Sequence, residues 1–133
     1  IVLWSPWAVI CETVDNYVTI RDAEPYLTFD QVLWHSGLGY GDVEVCKNRF
    51  LSTLFGFFEQ VFPQTLIQGG TKEIFLSNFI RLYQALDQAG QTVKLDIYEG
   101  MPHVFVPTLP ETVESQAAIA KVRDWVTEHL LDD

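Results

Sequence analysis

A chain of 133 residues has room for one domain and a modest core, and 48% hydrophobic with 14% aromatic residues mark it as globular. The 8 basic residues against 18 acidic ones leave a net charge of −10 with no basic cluster, which argues against nucleic acid or an anionic membrane surface as a partner. No apolar run approaches the ~20 residues a membrane span requires, and the opening run lacks the basic flank of a signal peptide. Cys11 and Cys46 lack metal-ligand spacing and read as ordinary thiols, so the compartment stays open. The only methionine is Met101, and the chain opens inside a strand-like run. The expectation is a piece of a longer protein, or a processed one.

In chain order, Ile1-Val2-Leu3-Trp4 is a continuous apolar run stopped by Ser5-Pro6, as in a parallel strand buried on both faces. From Trp7 to Pro63 no clean period survives, and aromatic residues recur among polar ones and glycines. A short helix is predicted over 29–36, with Thr28 and Gln31 forming a capping box and Gly37 ending it. A second helical piece is predicted over 54–61. So long and aromatic a connection reads as an excursion over about 8–62, either a cap lining an apolar pocket or a locally packed satellite core.

After Pro63 the pattern turns regular. A strand over 65–68 leads through Gly69-Gly70, read as a turn, to a helix over 77–89 capped by Ser77 or Asn78. Phe79, Leu82, Tyr83 and Leu86 form its buried stripe, and Gly90 supplies a left-handed exit. A strand over 93–98 follows, where Val93, Leu95 and Ile97 alternate with Lys94, Asp96 and Tyr98. The last helix is predicted from the capping box Thr108-Leu109-Pro110-Glu111, with Ile119, Val122, Val126 and Leu130 as its core face. His129 falls in its last turn, favourable for the helix dipole, and His35 reads as structural.

Two residues then stand out. His103 lies just past the C-terminal tip of the 93–98 strand, on a turn expected to be set by Gly100 and Pro102. Glu73 follows the tip of the 65–68 strand, and a right-handed crossover would set the two tips side by side. In open α/β sheets that rim is where chemistry gathers. An acid that fixes the tautomer of an imidazole and stabilises its charged form makes it a useful general base. Among the other carboxylates, Asp87 and Asp96 read as solvated, on a helix and within a strand, and Glu99 as turned to water.

Gly100-Met101-Pro102-His103-Val104-Phe105 resembles the catalytic-histidine motif of the hormone-sensitive-lipase-like esterases, a branch of the α/β-hydrolase fold. Leu54-Phe55-Gly56, the run from Thr65 to Ser77, and Ser5-Pro6-Trp7 are similar to motifs of the same family, in its order and spacing. The resemblance covers essentially the whole chain and implies that residues 1–133 are the C-terminal portion of a single such domain. It implies that Glu73 is the triad acid and His103 the catalytic histidine. The family's nucleophile sits in Gly-x-Ser-x-Gly and its oxyanion hole in a His-Gly-Gly stretch, and neither occurs here. Asn78 stands where the family commonly has an acidic residue.

The resulting expectation is an α/β chain of about three parallel strands in sequence order, with helices on both faces and an aromatic excursion after the first strand. The parent activity would be hydrolysis of small apolar carboxylic esters, esterase- or lipase-like, without metal or cofactor. This chain would contribute the acid and the histidine and be inactive alone. Two rivals stay open: a non-catalytic interaction module of the same fold, and another α/β hydrolase such as a serine peptidase. Self-association through the exposed edge of the first strand is expected as well.

Overall fold

The computed structural model describes residues 1–10, 19–28, 30–32 and 47–130. Cys11, His35 and Cys46, and most of the helix predicted over 29–36, lie outside the described residues. Three strands form one parallel sheet in the order β1 (Val2–Trp4), β2 (Thr65–Lys72), β3 (Val93–Pro102). Helix α1 (Leu76–Gln88) joins β2 to β3, and α2 (Phe105–Thr108) and α3 (Val113–Leu130) follow β3. The expected class and strand order are both present.

The two faces of β2 meet different helices. Ile67 packs with Phe79, Leu82 and Leu86 of α1 in the main core, with Tyr83 at its margin. Each fully buried large side chain of this kind contributes roughly 1.5–3 kcal/mol. On the opposite face the wholly buried Gln68 donates from Nε2 to the Ala118 carbonyl of α3 (3.0 Å) and accepts from Trp4 Nε1 (2.9 Å). One amide thereby ties β1, β2 and α3 together. β1 is the outer strand, with Ile1 and Trp4 about half exposed, so the expectation of burial on both faces fails.

Several boundaries differ from the sequence pattern for local reasons. Gly69 and Gly70 are not a turn but part of β2. A Cβ on Gly69 would fall 2.4 Å from the Phe79 ring, and one on Gly70 would fall 1.7 Å from the Met101 carbonyl oxygen. Both glycines are spacers for close packing. Neither Ser77 nor Asn78 caps α1, whose N-cap is Phe75. Asn78 instead accepts from the Val9 amide (2.7 Å), pinning the chain that leaves β1. The helix expected over 54–61 is a single 3-10 turn (Thr53–Phe55), ended by the extended backbone of Gly56.

The last helix begins later than predicted. The Thr112 hydroxyl accepts from the Ser115 amide (3.3 Å), whereas Thr108 donates to the Val104 carbonyl within α2. Ile119 and Val126 are well exposed, and the inward stripe of α3 is Ser115, Ala118, Val122, Trp125 and His129. Small residues at 115 and 118 let the helix backbone approach the sheet closely enough for the Gln68 bond. The side chain of Leu130 is not described. Two local readings hold: Thr28 and Gln31 exchange both bonds of a capping box (2.9 and 3.2 Å), and Gly90 leaves α1 at φ 73°.

The glycine environments predict an order of stability losses. Gly70→Ala meets main chain that cannot step aside and should cost about 3 kcal/mol or more. Gly69→Ala displaces only a ring and should cost about 1–3 kcal/mol, and Gly90→Ala about 1 kcal/mol from left-handed strain alone. Urea denaturation midpoints of the three variants check that order.

Candidate active site

The rim is built by an irregularity in the β2–β3 pairing. Register runs evenly from Thr65 against Val93 to Gly70 against Tyr98, and the next pair is Lys72 with Pro102. β3 takes four steps where β2 takes two, so β3 bulges over Gly70. Gly100 sits in that bulge at φ 74°, its amide donating to Thr71 Oγ1 (2.8 Å). Gly100 and Pro102 therefore belong to the strand rather than to the turn after it. The turn that carries His103 contains Val104, whose φ of 44° and ψ of 43° are unusual for a β-branched residue. The Ser5 hydroxyl accepts from the Val104 amide (3.0 Å) and steadies that conformation.

His103 and Glu73 meet at this rim. His103 Nδ1 lies 2.8 Å from Glu73 Oε1. The Glu73 side chain is wholly buried, and that of His103 is 20% exposed. The same Glu73 oxygen accepts from the Phe75 amide (3.3 Å), at the N-terminal end of α1, where the helix dipole favours an anion. The Phe75 ring meets the imidazole edge-on (centroids 5.4 Å apart), and Trp7 stacks on Phe75 (5.1 Å, 19°). With Nδ1 donating to a carboxylate, the ring is held in one tautomer and Nε2 is the nitrogen left to exchange a proton.

The other carboxylates weighed from the sequence stand elsewhere. Asp87 and Glu99 are exposed, as read. Asp96 is not solvated: it is 8% exposed and pairs with Lys121 Nζ of α3 (3.1 Å). No local pattern points to this pair, because Lys121 lies 25 positions away on α3, at a half-exposed position beside the inward stripe. Sequence reasoning also missed Glu24, which is buried beside the dyad and accepts from the amides of both Ile74 and His103. It is 79 positions from His103 in a stretch without period, so no local pattern could have flagged it. His129 lies against Trp125 (centroids 4.0 Å), in the last turn of α3 as expected.

A cavity of about 290 Å³ opens beside His103, walled by Trp7, Tyr26, Leu27, Val32 and Phe75. Among the described residues no group of three or more His, Cys, Asp or Glu side chains could hold a metal ion, and no helix is long and apolar enough to cross a membrane.

A parallel sheet crossed by α1, with a carboxylate and an imidazole bonded at adjacent strand tips, is the framework of an α/β hydrolase. The chain belongs to the α/β-hydrolase fold family, whose model matches residues 1–107. An esterase from the bacterial hormone-sensitive lipase family is similar over 97% of this chain, at 25% identity and a TM-score of 0.87. A mutant of the esterase E40 matches over 97% at 26% identity and a TM-score of 0.86. A hormone-sensitive lipase from a metagenome library matches over 97% at 24% identity and a TM-score of 0.86. The chain spans 43%, 43% and 44% of these three proteins, respectively. No curated protein sequence is a significant match. The resemblance read from the motifs is thus matched in family and fold.

The Asp96–Lys121–Tyr98 group makes a pH prediction. Burial pushes the Tyr98 phenol above its ordinary 10.0, with Lys121 pulling it down and Asp96 adding to the rise. For Lys121 burial pulls downward, but the hydrogen bonds and charges of Asp96 and Tyr98 together outweigh it and the ammonium ends above its ordinary 10.5. Both groups hold protons in the folded state at a pH where the unfolded chain has begun to lose them. Stability should therefore be intact below about pH 10 and fall as pH rises through the raised values. Urea denaturation between pH 8 and 11 should show that fall, and Tyr98→Phe should flatten it.

Proposed function

We propose that this chain supplies the acid and the histidine of a serine carboxylic-ester hydrolase of the hormone-sensitive-lipase-like branch. The 2.8 Å bond from His103 Nδ1 to Glu73 Oε1, formed between two strand tips on one rim, carries the reading. In it Glu73 orients His103, and His103 Nε2 takes the hydroxyl proton of a serine as that oxygen attacks the ester carbonyl. The same nitrogen returns the proton to the departing alkoxide, leaving an acyl-serine, and then deprotonates the water that releases the acid. The serine and the oxyanion donors come from a segment outside these 133 residues. The route calls for no metal or cofactor.

The excursion over 8–62 acts in this reading as a cap, since its Tyr26, Leu27 and Val32 wall the cavity beside the imidazole. A cavity of that size, walled mainly by aromatic and aliphatic side chains with Gln31 and the imidazole as polar members, suits a short acyl chain or a small alcohol. The related structure of EstE5 soaked with p-nitrophenyl butyrate, 25% identical over 96% of this chain and 42% of its own, makes that ester the natural probe.

The chain alone should not hydrolyse p-nitrophenyl acetate or butyrate above a buffer control, nor react with a fluorophosphonate. Stoichiometric labelling of one of its serines would overturn the reading. Joined to a segment bearing Gly-x-Ser-x-Gly, the enzyme should lose up to ~10⁴ in kcat on Glu73→Gln, as loss of the orienting acid does in the serine-protease template. Asp96→Asn and Glu99→Gln should change kcat by no more than about three-fold. A parental kcat for Glu73→Gln would remove Glu73 from the role of acid. In the rival case of a non-catalytic interaction module, the joined protein would show no turnover at all.

Among the described residues no strand pairs with the outer edge of β1. Association through that edge is part of the same proposal. Sedimentation of the isolated chain should show oligomers, and a stable dilute monomer would contradict it.

A further inference from the structure

We propose that Glu24 is a positioning residue that holds the two loops of the dyad in register and fixes the cavity wall to them. This rests on His103 and Glu73 being the catalytic pair. The Glu24 carboxylate is 8% exposed and divides its oxygens. Oε1 accepts from the Tyr26 amide (2.8 Å), and Oε2 accepts from the Ile74 amide (3.4 Å) and the His103 amide (3.2 Å). Ile74 is the residue after Glu73, and the other amide belongs to the histidine itself. One oxygen thus bridges the main chain beside the acid to the main chain of the base. Moving either loop alone would break one of those bonds.

The local sequence is suited to holding the carboxylate still. Ala23 and Glu24 both donate to the Ile20 carbonyl (2.9 and 3.2 Å), closing a helical turn ahead of it. Pro25 follows with a fixed φ, and the reciprocal Thr28–Gln31 capping box anchors the chain beyond. Tyr26 and Leu27, between those two anchors, wall the cavity beside His103. The bond to Tyr26 therefore sets the cavity wall relative to the same carboxylate that sets the dyad. The two oxygens of one carboxylate can between them receive all three of these main-chain N–H bonds.

The alternative is that Glu24 stabilises the fold without acting on the dyad. Asp96 separates the two, since it is equally buried at 8% exposure but is bonded to Lys121, outside the dyad. The comparison uses Glu24→Gln, which keeps length but offers one acceptor oxygen instead of two, Glu24→Ala, and Asp96→Asn. In the chain itself, the downfield proton signal of the His103 Nδ1–H, assigned with His103→Gln, should shift or broaden in both Glu24 variants and stay in place in Asp96→Asn. In the nucleophile-bearing enzyme, Glu24→Ala should lower kcat by about 10²-fold with KM within about three-fold, the scale of a small misplacement of a catalytic group. Glu24→Gln should fall between it and the parent.

An unmoved imidazole signal in both Glu24 variants would overturn the proposal. So would kcat losses that merely follow stability, as in Asp96→Asn. Absence of ester turnover in the parent enzyme would count against the functional reading instead, and the imidazole signal of the chain would still decide the role of Glu24.

Discussion

The close approach of β2 and β3 at Gly70 governs the geometry of the rim. No side chain fits between Gly70 and the Met101 carbonyl, because even a Cβ would stand 1.7 Å from that oxygen. This allows β3 to bulge across β2 and bring residue 103 beside residue 73. Had the strands kept even register, the residues past their tips would stay offset by the two extra positions that the bulge absorbs. The 2.8 Å bond between His103 and Glu73 is thus a consequence of main-chain packing two and three residues upstream. The same packing explains why two consecutive glycines are tolerated inside a buried strand, where glycine otherwise weakens the ladder.

Much of this arrangement was legible in the sequence, for reasons that can be separated. Strand β3 announces itself by alternation, although Ile97 of its apolar set is exposed and Asp96 of its polar set is buried, and α1 by Phe79, Leu82 and Leu86 at helical spacing, which does report its buried face. The Thr28–Gln31 box and Gly90 are local chemistry and survive in any tertiary setting. Placing His103 and Glu73 on one rim needed only the tips of two parallel strands and the handedness of a crossover. What failed was whatever depended on a distant neighbour. Gly69-Gly70 looks like a turn until Phe79 and Met101 are known to lie against it. The inward face of α3 is set by the need for small residues near Gln68, and hydrophobicity alone chose Ile119 and Val126 instead. Asp96 then seemed solvated because Lys121 was not known to face it.

The excursion after β1 shows the same division. Its residues carry no period, yet its described parts join the sheet at defined points. Phe58 enters the α1 core and meets Phe62 edge-on, while the Gln91 side chain bonds the main chain at Phe58, Gln60 and Phe62. Phe50 and Phe57 remain largely exposed and instead flank Arg49 at 4.9 and 4.6 Å. Aromatic content alone therefore does not decide which parts of such a segment are core. Attachment through a few polar side chains does, and these lie far apart in sequence from what they hold.

Backbone strain at the rim follows the same principle. Among the described residues, the non-glycine positions with positive φ are Ser5 and Val104. They are 99 positions apart and joined by a hydrogen bond from the Val104 amide to the Ser5 hydroxyl. Each left-handed residue costs roughly 1–2 kcal/mol against its relaxed conformation, and such strain persists only where surroundings enforce it. Ser5 is enforced from β2, since its own amide donates to the Gln68 carbonyl (2.8 Å) as the last rung after β1. Val104 is enforced from Ser5, and the amide of His103 immediately before it is held by Glu24. The imidazole accordingly sits on a turn whose two peptide amides are each bound by a side chain from another part of the chain. A turn restrained at both amides has little freedom to swing His103 away from Glu73, so the bond at its ring is maintained by the main chain as much as by the carboxylate itself.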